Sequence, residues 1–137
     1  MSRSLDDLSS RFRPTVFEFL ARAAEAGIPL LIVDTLRTPA EQEANLAKGV
    51  SWTTNSMHLP QPPDNKSLAI DVVPYSLYQL AGPDKLAWDA NNPVWQKLGA
   101  IGEKLGMSWG GRWKQRDMGH FQFKAVMPPP KAEGFVA

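Results

Sequence analysis

An aspartate in the middle of an apolar run constrains the fold of this chain more than any other feature. Asp71 follows Ala-Ile and precedes Val-Val, in a run over residues 69–73 that is short enough to be a buried β-strand. Side chains along a strand point alternately to opposite faces, so Asp71 points away from Ile70 and Val72. Burying a carboxylate without a partner is costly, so this strand needs a cation or a hydrogen-bond donor beside Asp71.

A second short strand offers such a partner. His120-Phe121-Gln122-Phe123 alternates polar and apolar residues, which predicts a strand with its phenylalanines on the core. If the two strands pair, Asp71 and His120 project from the same face, and His58, the only other histidine, arrives from a loop. Two imidazoles and one carboxylate form a common three-ligand set for catalytic Zn²⁺, with the fourth position left to water or substrate. We therefore predict a zinc site on the sheet face.

The remaining segments predict helices around these strands. The helix over residues 15–26 is expected to be capped by Thr15, after a shorter helix that Pro14 stops. Thr-Pro-Ala-Glu at residues 38–41 combines a helix cap, a first-turn proline and a capping-box acid. The predicted elements besides the two strands above are helices over residues 5–12, 15–26, 38–48 and 92–105 and a buried strand over residues 30–33. Together they predict an α+β fold: a small single domain with a short, mainly antiparallel central sheet and flanking helices.

Composition fits one globular domain and excludes several classes of protein. The 137 residues are 43% hydrophobic and 21% charged, which is ordinary for a packed domain. The formal net charge of +1 gives no electrostatic case for binding nucleic acid. The absence of cysteine excludes a disulfide scaffold and a cysteine-ligated metal. We expect one catalytic domain over residues 1–127 and a loosely held tail over residues 128–137, which begins with three prolines.

Several motifs together point to a known family. Six residues match the residue types of a family motif, namely Ser56, His58, Ala69, Asp71, Asp117 and His120. They match the pattern Ser-x-His-x-x-Gly-x-Ala-x-Asp, followed later by acid-x-x-His, and so resemble the LAS-type zinc peptidases. That family includes D-alanyl-D-alanine carboxypeptidases and dipeptidases and the phage endolysins that cut L-alanyl-D-glutamate bonds in peptidoglycan. Residues 35–38 and 105–113 are also similar to family segments, so the resemblance extends over roughly residues 30–124.

The chain departs from the family pattern at two places. A Pro-rich insertion over residues 59–66 lengthens the interval between His58 and Asp71, and Ser67 replaces the family's glycine. Both ends of the motif remain, so the departure affects the path of the loop more than the identity of the ligands.

The resemblance implies a zinc-peptidase mechanism. Zn²⁺ held by His58, Asp71 and His120 would polarise the scissile carbonyl and lower the pKa of its water toward about 7. Asp117 matches the family's catalytic acid and would pass the proton of that water to the leaving amine. Arg37 would bind a substrate carboxylate or the developing oxyanion, although the residues alone leave a structural salt bridge open as well.

Length and motifs are most similar to phage endolysins, so the expected substrate is the peptidoglycan stem peptide. The first residues, Met-Ser-Arg-Ser-Leu-Asp-Asp, lack the apolar segment of a signal peptide, and no run approaches the roughly 20 apolar residues of a membrane span. We therefore expect a monomer made in the host cytoplasm that neither inserts stably into the membrane nor binds nucleic acid. It would reach the cell wall after a separate partner has permeabilised the membrane.

Three other functions compete with this interpretation. A D-alanyl-D-alanine carboxypeptidase or dipeptidase would use the same zinc site on a terminal peptide. A non-catalytic zinc-binding module for the cell wall would keep the ligands but would not need Asp117. A lysozyme-like glycosidase would need a pair of carboxylates such as Glu41 and Glu43, which fit a capped surface helix better.

Overall fold

The computed structural model describes residues 2–49, 56–76 and 85–124 of the chain. Its helices are α1 (Arg13–Glu25), α2 (Pro39–Ala47) and α3 (Val94–Lys104), with short 3₁₀ turns at Leu5–Asp7 and Gly110–Arg112. Its strands are β1 (Leu30–Asp34), β2 (Ala69–Pro74), β3 (Met107–Trp109) and β4 (His120–Phe123), in one antiparallel sheet of order β1-β2-β4-β3. The predicted α+β fold is confirmed. The predicted tail over residues 128–137 lies outside the described residues, and none of the described helices combines the length and apolar character of a membrane span.

The two strands that carry the polar residues pair as the alternation predicts. Asp71 of β2 lies opposite His120 of β4, and Ile70 lies opposite Phe121 in the next position along the ladder. Ile70 and Phe121 have no exposed surface, so they form part of the core. Because successive side chains of a strand alternate between faces, Asp71 and His120 share the other face of the sheet.

Helices α1 and α3 pack against the apolar face of β4. The ring of Phe19 in α1 lies with its centre 4.6 Å from the ring centre of Phe121. Gly102 of α3 lies so close to the same ring that a Cβ added there would stand 2.6 Å from two of its carbon atoms. Helix α3 therefore fixes the residue next to His120 from the side of the sheet opposite the polar cluster.

We expect Gly102→Ala to lower the free energy of unfolding by about 1–3 kcal/mol, the usual cost of overpacking a core. The clash with Phe121 outweighs the gain of about 1 kcal/mol in helix propensity that alanine brings. Urea unfolding of the variant measures the effect, and Ala100→Ser on the exposed side of α3 is the matched control. Equal midpoints for Gly102→Ala and the original protein would contradict the packing described here.

The start of α1 differs from the prediction. The helix begins at Arg13, with Phe12 at the N-cap position and no side-chain hydrogen bond to cap it. Pro14 therefore lies inside the first turn. Backbone N–H groups there have no acceptor within the helix, so a proline, which lacks an N–H, is tolerated at this position. The assignments of Pro14 as a helix stop and Thr15 as a cap were wrong. By contrast, the capping box that begins at Thr38 is confirmed.

The strand β1 lies at the edge of the sheet and is less buried than predicted. Within the described part of the chain it pairs only with β2, and 48% of the Leu31 surface is exposed. The ladder to β2 is irregular between Ile32 and Asp34. This irregularity matters because Asp34 ends the strand as a buried side chain that is only 2% exposed.

Candidate metal centre

Three side chains on the polar face of the sheet converge at one point. His58 comes from the loop before β2, Asp71 from β2 and His120 from β4. Asp71 Oδ1 lies 3.1 Å from His58 Nε2 and 3.0 Å from His120 Nδ1. One ligand atom from each residue lies within 4.8 Å of the other two, and both histidines are buried. The structure thus brings together the three residues predicted as metal ligands.

Each imidazole is oriented by a hydrogen bond on its far side. His58 Nδ1 lies 2.7 Å from the backbone oxygen of Thr35, which can only accept, so this nitrogen must donate its N–H. His120 Nε2 lies 2.8 Å from Gln122 Oε1 and donates to it in the same way. In these tautomers His58 Nε2 and His120 Nδ1 carry lone pairs, and both lone pairs face Asp71.

This arrangement fits a bound cation. Asp71 Oδ1, His58 Nε2 and His120 Nδ1 are all acceptors in these tautomers, so a positive charge among them is needed to offset their mutual repulsion. His58 Nε2 is buried and has no hydrogen bond of acceptable geometry to any residue that the structure describes, despite lying 3.1 Å from Asp71 Oδ1. Tetrahedral zinc with bonds of about 2.0–2.1 Å needs donor atoms roughly 3.3 Å apart. The distances of 3.0 and 3.1 Å from Asp71 Oδ1 are close to this requirement.

When no metal is bound, the electrostatics of the cluster favour the ionised form of Asp71 and the protonated form of His120. Burial would raise the pKa of Asp71, but the charge of His58 and the hydrogen bond with His120 hold it well below its ordinary value. Burial would lower the pKa of His120, but the hydrogen bond and the charge of Asp71 raise it above its ordinary value. A proton on His120 therefore occupies the place that a metal ion would take.

Zinc affinity is expected to fall on the acid side, and the fall should begin above pH 6.5, the ordinary pKa of histidine. The sign follows from His120, since its raised pKa keeps the competing proton bound at higher pH than in a free imidazole. Below that raised pKa the affinity should drop about tenfold per pH unit, because one proton must leave for each metal bound. Equilibrium dialysis with metal analysis from pH 8 to pH 5 measures this dependence. A zinc affinity that stayed constant from pH 8 to pH 6 would contradict it.

Asp117 lies beside the cluster, as its place three residues before His120 predicts. Its backbone N–H donates to the oxygen of Gly110 at 3.0 Å, and its own carbonyl accepts from the N–H of His120 at 3.2 Å. A Cβ at Gly110 would lie 2.4 Å from the Asp117 carbonyl oxygen, so only glycine allows this close approach. Burial raises the pKa of Asp117 and the Asp71 carboxylate raises it further, while His120, His58 and Arg37 act in the opposite direction.

Arg37 also reaches the site, where it is held by several partners. Its guanidinium donates to Asp34 Oδ2 through Nε at 3.1 Å and through Nη2, and to Gln42 Oε1 through Nη1 at 2.6 Å. Nη2 lies 3.9 Å from Asp71 Oδ2, and the side chain is 11% exposed. Burial raises the pKa of Asp34, while the charges of His58 and Arg37 oppose that rise. The guanidinium thus stands in a fixed position beside Asp71.

The sequence did not reveal the residues that orient the predicted ligands, nor those that hold Arg37 in place. The Thr35 carbonyl belongs to the backbone, so no side-chain pattern indicates it. Gln122 carried a usable signal, because it lies two residues after His120 and so on the same face of the strand. The ring of Trp113 also borders the site, with its centre 4.9 Å from the ring centre of His120.

The fold and the site define a small α+β domain with a buried His-Asp-His cluster that could hold a metal ion. The chain belongs to the D-alanyl-D-alanine carboxypeptidase family, because the model of that family matches residues 49–123, more than half of the 137 residues. The matched segment contains all three residues of the cluster and Asp117. The resemblance drawn from the sequence motifs is therefore confirmed.

Two relatives extend the comparison. The chain is 32% identical over 127 residues to the L-alanyl-D-glutamate peptidase of Listeria phage A118, in an alignment that covers 89% of this chain and 41% of that protein. The chain thus spans less than half the length of that relative. Its fold resembles the crystal structure of the L-Ala D-Glu endopeptidase ChiX of Serratia marcescens, with a TM-score of 0.63, 23% identity, and coverage of 90% of this chain and 87% of that one.

Proposed function

We propose that this chain is a zinc-dependent peptidoglycan peptidase that hydrolyses the L-alanyl-D-glutamate bond of the stem peptide. The observation that carries the proposal is the meeting of three acceptor atoms, from His58, Asp71 and His120, at one buried point in a member of a peptidase family. The choice of bond is supported by the relative from Listeria phage A118, which is named an L-alanyl-D-glutamate peptidase.

The proposed mechanism assigns a task to each group of the site. Zinc held by His58, Asp71 and His120 would polarise the scissile carbonyl and lower the pKa of the attacking water toward about 7. Asp117 accepts a proton from that water as the new C–O bond forms, and returns a proton to the amine as the C–N bond breaks. The raised pKa of Asp117 suits this exchange, because it makes the carboxylate a stronger base toward the water, and a pKa nearer the working pH still allows the acid to protonate the amine. Arg37 supplies positive charge to the carbonyl oxygen or to a substrate carboxylate.

A second candidate uses the same site on a different bond. The family model that matches this chain is described as D-alanyl-D-alanine carboxypeptidase, which favours removal of a terminal D-alanine. The chemistry at the carbonyl would be identical in the two cases. Only the contacts with the remainder of the peptide would differ, so the products of digestion decide between them.

The two remaining alternatives have less support. A non-catalytic zinc module has no use for an acid beside the ligands, yet Asp117 stands there and is influenced by the charges of Asp71 and His120. A glycosidase would need free carboxylates, and Glu41 accepts a hydrogen bond from the Thr38 backbone at 2.8 Å in the capping box of α2. That contact assigns Glu41 a structural role.

The biological setting forms part of the proposal. The match to a phage protein supports a role in host cell lysis as an endolysin. On this view the chain acts as a monomer, accumulates in the host cytoplasm, and meets peptidoglycan once a separate partner has permeabilised the membrane.

Digestion of purified peptidoglycan tests the bond that is cut. We expect mass spectrometry to find stem peptides with a new amino terminus on D-glutamate, and L-alanine left on the glycan. His120→Ala protein, treated in the same way, is the control for contaminating hydrolases. Free D-alanine with the L-alanyl-D-glutamate bond intact would move the assignment to the carboxypeptidase. New reducing sugar ends would contradict both peptidase assignments and show that the protein is a glycosidase.

A further inference from the structure

The loop that carries His58 is longer than in the family pattern and is attached to a distant part of the chain. This loop covers residues 56–67 and includes the Pro-rich insertion over residues 59–66. Its own hydrogen bonds include Gln61 N–H to Lys66 O at 3.0 Å and Asn65 N–H to Gln61 O at 2.8 Å. These bonds shape the insertion, but they do not fix its position relative to β2 and β4. The His58 end of the loop is held by backbone hydrogen bonds from Arg37 N–H to His58 O at 2.8 Å and from Leu68 N–H to Met57 O at 2.9 Å, and the insertion is held by contacts with residues 2–11.

One carboxylate in the insertion binds the segment just before α1. Asp64 Oδ2 accepts the backbone N–H of Ser10 at 3.0 Å and the hydroxyl of Ser9 at 3.1 Å. Beside it, Arg11 Nη2 donates to the carbonyl of Pro62 at 2.7 Å. The backbone hydrogen bond from Ser10 lowers the pKa of Asp64, so this carboxylate is ionised at neutral pH. The tip of the insertion is thereby joined to residues 9–11.

The end of the loop is joined to the same segment through the backbone. Ser67 N–H donates to Asp7 O at 2.9 Å, and Ser9 N–H donates to Ser67 O at 2.8 Å. Ser67 and Ser9 have no exposed surface, so these bonds are shielded from water. Ser67 stands where the family pattern has glycine, two residues before β2 begins.

The first residues of this segment hold the group that orients His58. The backbone N–H of Thr35 donates to Ser2 O at 2.7 Å, and the Thr35 hydroxyl donates to Ser4 O at 2.9 Å. The carbonyl of Thr35 is the acceptor for His58 Nδ1 at 2.7 Å. Thr35 has no exposed surface. A single stretch of chain therefore contacts both the loop that bears His58 and Thr35, the residue whose carbonyl sets the tautomer of His58.

We propose that residues 2–11 form a clamp that orients the ligand His58, and that Asp64 and Thr35 are the positioning residues through which the clamp acts. This inference rests on the proposed metal site. His120 and Asp71 lie on paired strands, which hold them in register, whereas His58 lies on a loop. A loop ligand loses conformational freedom when metal binds, and a clamp that removes this freedom in advance raises the affinity. The Pro-rich insertion supplies the carboxylate that closes the clamp.

The size of the effect can be bounded. Partners that orient metal ligands typically contribute 10–100-fold to metal affinity. Asp64 acts on His58 through the loop and not by direct contact, so we expect Asp64→Ala to weaken zinc binding by about 10-fold. Asp64→Asn keeps one oxygen acceptor for Ser10 and should recover part of that loss. Thr35→Val removes only the hydroxyl contact with Ser4 and should act in the same direction.

Two measurements separate positioning from simple loss of stability. The first is zinc affinity by competition with a chelator, below the melting temperature of each variant, with Glu25→Ala at an exposed site on α1 as the matched control. The second is the tautomer of His58 in metal-free protein at pH 8, read from long-range ¹H–¹⁵N correlation spectra. We expect one Nδ1–H tautomer in the original protein and in Glu25→Ala, and a mixture in Asp64→Ala. A merely structural Asp64 would lower the melting temperature and leave both readings unchanged.

The outcomes also separate this inference from the proposed function. Zinc binding by the original protein together with unchanged affinity and unchanged His58 signals in Asp64→Ala would overturn the clamp and leave the metal site standing. Failure of the original protein to bind zinc would overturn the proposed function, while a changed His58 tautomer in Asp64→Ala would still support the clamp. Weaker zinc binding with a mixed tautomer in Asp64→Ala, partly restored in Asp64→Asn, is the result that we expect.

Discussion

Replacing His120 by alanine is expected to lower zinc affinity at least about 100-fold. After dialysis, the original protein should retain about one zinc per chain and the variant little or none. Loss of a residue that merely orients a ligand typically costs 10–100-fold, and loss of a ligand should cost more. His120→Ala also leaves Asp71 without one of the two histidines that hold its pKa low, so some stability should be lost as well. Metal analysis of the dialysed protein measures the effect, and His58→Ala and Asp71→Ala should behave alike.

Gln122→Ala provides a graded comparison for this experiment. It leaves all three ligands in place and removes only the acceptor for His120 Nε2, so its zinc affinity should fall between those of the original protein and His120→Ala. Full zinc occupancy in His120→Ala would mean that the ligands have been assigned wrongly.

The second large effect concerns the rate of hydrolysis. We expect Asp117→Ala and Asp117→Asn to keep the fold and the zinc but to lose about 10²- to 10⁴-fold in rate, the usual contribution of general acid–base assistance. Asp117 lies within electrostatic reach of His58, Asp71 and His120. Among the described residues, both histidines form their close ion pair with Asp71 and neither forms one with Asp117, so the Asp117 carboxylate is the group that we expect to exchange the proton. Release of new amino groups from purified peptidoglycan gives the rate, and zinc content is measured on the same samples.

Glu25→Gln removes a carboxylate at an exposed position and should hydrolyse at the original rate, which controls for a general effect of charge. An Asp117→Ala rate within threefold of the original would show that another group exchanges the proton. A loss of zinc in Asp117→Asn would instead assign Asp117 to metal binding.

The sequence predicts the centre of the fold better than its edges. Alternation along residues 120–123 and the acid within residues 69–73 were enough to predict that Asp71 and His120 share a face, and the pairing confirms it. The strand β3 was missed, because three residues, Met107–Trp109, are too few to show a period. The partial exposure of β1 was also missed, because a run of apolar residues does not reveal whether a strand has one neighbour or two.

For the candidate site, too, the sequence predicted some residues and not others. The three ligand residues could be named from their types and spacing, and the structure brings them together. The contacts that orient them could not be named, because Thr35 acts through a backbone carbonyl and is itself held by Ser2 and Ser4, about thirty residues earlier in the chain. Contacts between distant backbone groups leave no pattern in the side chains. The roles of Asp117 and Arg37 in hydrolysis remain predictions.

The candidate metal site and the core depend on the same register of β2 against β4, because Asp71 pairs with His120 in the ladder in which Ile70 pairs with Phe121. If β2 and β4 were to pair one residue out of step, Asp71 would no longer lie opposite His120, and Ile70 would no longer lie opposite Phe121. Such a misfolded chain would lose the cluster and the packing against Phe19 together, so it could not persist as a stable but inactive form. At the proposed metal site, a chain with slipped strands would lack the three converging side chains, so metal uptake would report on correct pairing of β2 with β4.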